Sequence, residues 1–187
     1  MEKIKILAIV GSLRQNSYNR QLAVAAGRVI GERAEFELLD YSDVPLMNED
    51  IEFPAPAAVA RVRAAIKAAD GIWFFTPEYN HSTPGVLKNL IDWLSRPVSE
   101  TEPRVLIGKP AALSGITPGI SGTALAQDHL VMLISFINMK IMNQPRLVIP
   151  HAREQADPDG NLTLTASAPY LEEQAQAFLD FIEANRP

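Results

Sequence analysis

Cysteine is absent from the 187 residues. That excludes disulfides, thiol nucleophiles, cysteinyl zinc sites and cysteinyl iron–sulfur clusters. Basic residues are the minority, 17 against 22 acidic, and the formal net charge is −5. A balance of that sign disfavours non-specific nucleic-acid binding, which selects for basic surfaces. No apolar run approaches the roughly 20 residues needed to cross a bilayer, so no membrane span is expected. The opening Met1-Glu2-Lys3-Ile4-Lys5 leads into an apolar segment with no small-residue cleavage site behind it. It reads as a strand entrance rather than a signal peptide, and the expected compartment is the cytoplasm. His81, His129 and His151 are scattered without metal-ligand spacing, so no metal site is expected. Repeats, low-complexity blocks and linkers are missing too, and residues 1–187 read as one domain.

What is present is an alternation of strand and helix patterns. Ile4 to Val10 is nearly all apolar, as a strand covered on both faces requires. Leu22, Ala26, Val29 and Ile30 then fall on one helical face. Glu35 to Tyr41 reads as a second strand. After a loop over residues 44–53, Val59, Val62, Ile66 and Ala69 mark a second helix. Gly71 to Thr76 is a dense apolar run and reads as the central strand. Thr83-Pro84 reads as an N-cap followed by proline at the first helical position, with Val86, Leu87, Leu90, Ile91 and Leu94 on the buried side. Pro110 to Ser114 and Arg146 to Ile149 read as the fourth and fifth strands. A helix from Ser121 to Met139 lies between them, and a last helix spans Pro169 to Ala184. Parallel strands need right-handed crossovers, and helices must cover both faces of the sheet. The expected fold is an α/β three-layer sandwich with a five-stranded parallel sheet in the flavodoxin-like order 2-1-3-4-5. Ligands of such sheets sit beyond the carboxyl ends of the strands, where the strand order reverses.

Three loops lie at that end. Residues 11–20 place Gly11 at the strand exit, then Ser12, Ser17 and Asn19 as short polar side chains with Arg14 and Arg20, ahead of a helix start. A helix amino terminus with hydroxyls and a guanidinium is an anion site. An ordinary polar turn capped by Ser17 would need one such residue, not the group. Neither Gly-x-x-x-x-Gly-Lys-Ser/Thr nor Gly-x-Gly-x-x-Gly occurs here. Residues 76–85 hold Pro77-Glu78-Tyr79-Asn80 between stiffening prolines, a polar edge suited to a flat ligand. A strand stop and a helix start would explain the two ends of that loop but not Glu-Tyr-Asn between them. Residues 114–123 carry three glycines and let a ligand approach the backbone near Ser114.

Gly11-Ser12-Leu13-Arg14-x-x-Ser17-x-Asn19, together with Pro77-Glu78-Tyr79-Asn80-x-Ser82-x-Pro84-Gly85-x-Leu87-Lys88-Asn89-x-Ile91-Asp92-Trp93, resembles the NADPH-dependent FMN reductase family. The order of elements follows that family over nearly the whole chain. The resemblance implies non-covalent FMN, with Ser12, Arg14, Ser17 and Asn19 at the phosphate. Pro77, Glu78, Tyr79 and Asn80 would lie along the ring and ribityl chain, with Ser114 approaching from the next strand. It further implies NADPH or NADH as co-substrate and quinones, flavins, azo compounds or metal oxyanions as small-molecule electron acceptors. A ping-pong exchange on a half-open flavin would use no catalytic side chain of the protein. The rival is a flavodoxin-type electron carrier. Against it stands the lack of aromatics to sandwich a flavin, since the third loop has none and the second only Tyr79.

The remaining features read as structural. Trp73 and Trp93 are core or interface residues, and Lys88 with Asp92 is an i, i+4 helix pair. Leu130 to Met139 is apolar nearly all round, which a helix covering one sheet face should not be. The expectation is a homodimer through this helix and the Trp93 region, and the family resemblance implies a homotetramer built from two such dimers.

Overall fold

The computed structural model describes residues 3–186. Met1 and Glu2, the first part of the strand entrance above, lie outside the described residues. The elements run β1 (Ile4–Val10), α1 (Tyr18–Ile30), β2 (Ala34–Leu38), α2 (Ala57–Ala68), β3 (Gly71–Phe75), α3 (Gly85–Leu94), β4 (Pro110–Ile116), α4 (Ala124–Phe136), β5 (Lys140–Ile141), β6 (Leu147–Ile149) and α5 (Ala168–Asn185). The sheet is parallel in the order β2-β1-β3-β4-β5. This is the flavodoxin-like arrangement that the sequence pattern implies.

The fifth position is the one departure. Two short strands share it: β5 pairs with Pro110 and Ala111, and β6 pairs with Ser114 to Ile116. The segment expected as the whole fifth strand supplies only its upper half. Between the halves the ladder is interrupted, and Gln174 from α5 fills the gap by donating to the carbonyls of Leu113 (2.8 Å) and Pro145 (2.9 Å). A buried carbonyl left without a donor would be costly, so a helix side chain replaces the missing strand.

Helices α1 and α5 pack on one face of the sheet and α2, α3 and α4 on the other, each over its own apolar cluster. Trp73 sits at the middle of the first cluster, stacked on Phe75 and edge-on to Phe36 and Phe178. Val10, Phe75, Ser114 and Leu147 form one row across four strands; β1 and β3 end on that row, while β4 and β6 run two residues beyond it, to Ile116 and Ile149. Among the described residues, no helix is long and apolar enough to cross a membrane.

Four boundaries differ from the sequence pattern for identifiable reasons. Strand β2 ends at Leu38 rather than Tyr41. The chain curls there so that the buried Tyr41 hydroxyl donates to the Val10 carbonyl (2.6 Å). Burial pushes the pKa of that hydroxyl well up, so it stays protonated and a donor. Helix α3 begins at Gly85 with Pro84 as its N-cap residue, and Thr83 does not cap it. The Thr83 hydroxyl is taken by the Ala126 carbonyl instead (3.2 Å). Helix α4 cannot begin at Ser121, because Gly122 and Thr123 both have positive φ (59° and 79°). It stops short of Met139 for the same reason, with Asn138 at φ 64°.

Candidate active site

The first loop leaves β1 while still paired to the sheet, through Gly11 N–H to the Phe75 carbonyl (2.8 Å). A Cβ on Gly11 would lie 3.1 Å from Pro77 Cδ and 3.3 Å from Leu87 Cδ2. The first and second loops therefore touch at this glycine, and a side chain there would wedge them apart. Beyond it the chain turns back on itself. Arg14 N–H donates to Ser12 Oγ (3.4 Å), and Ser17 N–H donates to the Arg14 carbonyl (3.2 Å). Ser17 then occupies the N-cap of α1 in extended conformation. The residue is only 3 % exposed, and its hydroxyl makes no capping bond. The first-turn N–H groups of α1 have no partner within the helix, and the residue placed to satisfy one of them does not. Arg14 stands exposed with its guanidinium carbon 5.9 Å from the centre of the Tyr18 ring. Ser12, Arg14 and Ser17 are thus brought together around a helix start.

Asn19 is not part of that group. Its amide donates to the Ile116 carbonyl (2.9 Å) and accepts from the Ile116 N–H (3.1 Å). It is a buried tie between α1 and the end of β4. Ser114 also points elsewhere. It is fully buried, accepts from Trp73 Nε1 (2.8 Å) and donates to Gln174 Oε1 (2.6 Å). The alternation of β4 turns its side chain into the α1/α5 layer, so only its backbone is left to approach a ligand at the strand end.

The second loop is built by backbone chemistry. Tyr79 and Ser82 exchange two backbone hydrogen bonds (3.2 and 3.1 Å), and the residues between them, Asn80 and His81, have φ of 52° and 58°. Positive φ at both central residues defines the tight two-residue hairpin turn that Asn tolerates. The turn leaves Tyr79 52 % exposed at its corner, with Asn80 exposed beside it. Pro77 lies underneath, buried against Gly11. Glu78 faces the opposite way. Its side chain is 5 % exposed; one oxygen accepts from the Ala126 N–H in the first turn of α4 (3.1 Å), and the other lies 3.4 Å from His81 Nδ1. Ser82 Oγ meets His129 Nδ1 at 3.0 Å.

The third loop is fixed by Gly115. A Cβ there would fall 2.0 Å from Thr123 Oγ1 and 2.5 Å from the Thr76 carbonyl, so only glycine lets this loop close over the strand ends. Thr117 and Gly119 are then joined to the exit of β6 through Ile149, His151 and Ala152.

Sequence reasoning missed that Asn89 and Trp93, both in the longer motif, hold a loop in place. Asn89 accepts from Met47 N–H (2.8 Å) and donates to the Pro45 carbonyl (2.9 Å), and Trp93 Nε1 donates to the same carbonyl (2.9 Å). With the bidentate Arg96–Glu52 pair (3.0 and 2.9 Å) they strap the 44–53 loop to α3. An amide and an indole four residues apart on one helix was the available signal. Trp93 is fully buried, the core alternative of the two expected for it. Lys88 and Asp92 form the expected surface pair (2.7 Å). Among the described residues, no group of His, Asp or Glu is placed to hold a metal ion.

The profile of the NADPH-dependent FMN reductase family matches residues 4–154. A 2-hydroxy-1,4-benzoquinone reductase of a Burkholderia species is 38 % identical over 177 residues, 95 % of this chain and 93 % of that one. An NAD(P)H-dependent FMN reductase of Pseudomonas aeruginosa is 41 % identical over 177 residues, 94 % of each chain. The chain belongs to the NADPH-dependent FMN reductase family. Another relative by structure is the flavoenzyme NAD(P)H:(acceptor) oxidoreductase FerB of Paracoccus denitrificans. It is 37 % identical with a TM-score of 0.87, covering 97 % of this chain and 99 % of that one.

Membership makes the chain an oxidoreductase with FMN as cofactor and NAD(P)H as reductant. The residues present fit that cofactor at both ends. A phosphate monoester needs N–H groups, hydroxyls and a guanidinium, and the Ser17 hydroxyl, which caps nothing, sits at the helix start with Ser12 and Arg14 beside it in the loop. A flat heterocycle needs a rigid polar edge, and the Tyr79–Ser82 hairpin is one.

Proposed function

We propose that this FMN reductase reduces quinones and related two-electron acceptors in a ping-pong cycle. NAD(P)H gives up a hydride and departs as NAD(P)⁺. A quinone then occupies the same place, takes up that hydride equivalent and one proton from solvent, and leaves as the hydroquinone. FMN, when bound, stores the hydride between the two halves. Free flavins, azo compounds and metal oxyanions are further acceptors in this reading.

The protein's share is holding and orienting. Ser12, Ser17 and Arg14 hold the phosphate together with the N–H groups of α1. Pro77 and the backbone at Glu78 support the ring edge, and Tyr79 and Asn80 border the open side. Asn19 and Ser114 act from behind, by keeping α1 and β4 in place. No side chain is assigned as acid, base or nucleophile. The observation that carries the reading is the half-exposed Tyr79 at the corner of a rigid hairpin whose loop touches, at Pro77 and Gly11, the loop leading to an anion-type helix start. It suits a site where a second planar molecule comes and goes, and it is why the enzyme reading is preferred to a carrier that sandwiches its flavin between aromatics. Anaerobic stopped-flow mixing with NADPH and with NADH, followed by a panel of oxidants, tests it. Reduction without any acceptor and parallel double-reciprocal lines are expected. Intersecting lines would replace ping-pong by a ternary complex.

We also propose a homodimer through α4, or a tetramer built from two such dimers. Leu125, Met132 and Phe136 follow one another on the outer face of α4, and Phe136 is 85 % exposed. A second copy of this chain offers the same stripe about a twofold axis.

A further inference from the structure

Resting on the reading that residues 77–82 border the flavin, we infer that Glu78 is a positioning residue whose carboxylate fixes the hairpin to α4 and does not face the ring. Its two oxygens are both accounted for within the protein. One accepts the Ala126 N–H at 3.1 Å, and the other lies 3.4 Å from the exposed His81 imidazole. The Ala126 N–H lies in the first turn of α4, where no carbonyl of the helix can reach it. Thr123, the N-cap residue, gives no side-chain bond to that turn, because its positive φ turns it aside and its hydroxyl accepts from Gln127. Glu78 therefore serves as the cap that α4 lacks, supplied from another loop. A carboxylate at a helix start also gains from the helix dipole.

Two further bonds bind the same partners. Thr83 Oγ1 donates to the Ala126 carbonyl and Ser82 Oγ meets His129 Nδ1. The hairpin that carries Tyr79 and Asn80 is thereby stitched to one turn of one helix at three points. Its own two backbone bonds define the turn but not its tilt against the sheet. The stitches define the tilt.

The test is FMN affinity, read by flavin fluorescence, alongside apoprotein thermal unfolding in Glu78→Ala and Glu78→Gln. Glutamine keeps an oxygen for the Ala126 N–H and removes the charge. Glu78→Ala is expected to weaken FMN about tenfold, the worth of one charge-assisted hydrogen bond, while Glu78→Gln stays closer to the wild type than to the alanine variant. Alanine binding as tightly as wild type, or glutamine binding as weakly as alanine, overturns the inference. The double variant Ser82→Ala, Thr83→Val removes the other stitches with Glu78 intact. It is expected to weaken FMN several-fold, unchanged affinity counts against the inference, and it decides the matter if Glu78→Ala does not fold. Failure of the wild type to bind FMN would instead overturn the site reading itself.

Discussion

Arg14 supplies the one guanidinium in the loop between β1 and the N-cap of α1. If that loop holds a phosphate, Arg14→Ala removes a charge-assisted contact and should weaken FMN by about tenfold. Titration of the apoprotein with FMN measures it, and an unchanged dissociation constant would move the phosphate elsewhere. Ser114→Ala should behave in the opposite way. It strands the Trp73 indole N–H and the Gln174 carbonyl, at a cost of about 1–3 kcal/mol in unfolding free energy, and leaves FMN affinity alone. The contrast marks what residue types reveal. Ser17, Asn19 and Ser114 all look like ligand donors in the sequence. Only the first is uncommitted, because the partners of the others lie 97 and 60 residues away, at Ile116 and Gln174. Nothing local in the sequence signals a tie over that distance.

At the scale of elements, strands and helices were legible because their apolar periods are strong, while their ends were decided by single backbone conformations. The break between β5 and β6 falls on the polar Asn143-Gln144-Pro145-Arg146, and β5 itself went unread because Lys140-Ile141 is too short to show a period. The late start of α4 follows from two positive-φ residues and from the close fit of Gly115 against Thr123. Gly115→Ala should press its methyl against both the Thr123 hydroxyl and the Thr76 carbonyl and cost about 1–3 kcal/mol, with the third loop displaced. Chemical denaturation of the two proteins measures it. A pH effect belongs to the opposite end of the sheet. Burial alone would push the Asp70 carboxyl up, but the Lys5 N–H, the Arg186 guanidinium and the more distant Lys109 together hold it below the ordinary carboxylate value. A carboxylate depressed in the folded state adds stability that is complete above its unfolded value, near 4, and is lost as the pH falls through the folded one. Asp70→Asn should therefore be less stable than wild type at pH 7, and the gap should narrow in urea titrations carried toward pH 3.

For the whole molecule the open question is the face of α4. The sequence showed too many apolar residues for one sheet-covering helix, and the structure divides them. Ala126, Leu130 and Ile134 go inward, while Leu125, Met132 and Phe136 go out. Light scattering should give the mass of a dimer or tetramer, and Phe136→Asp combined with Met132→Lys should halve the dimer without unfolding it. A wild-type monomer would leave that stripe bare and remove the dimer proposal.

The level row of Val10, Phe75, Ser114 and Leu147 has an evolutionary corollary. Deleting a single residue inside any of these strands would invert its inward and outward sides and drop one loop below the others. Insertions and deletions among descendants of this sequence should therefore gather away from that rim, for example in residues 97–104 between α3 and β4, where chain length is free to drift.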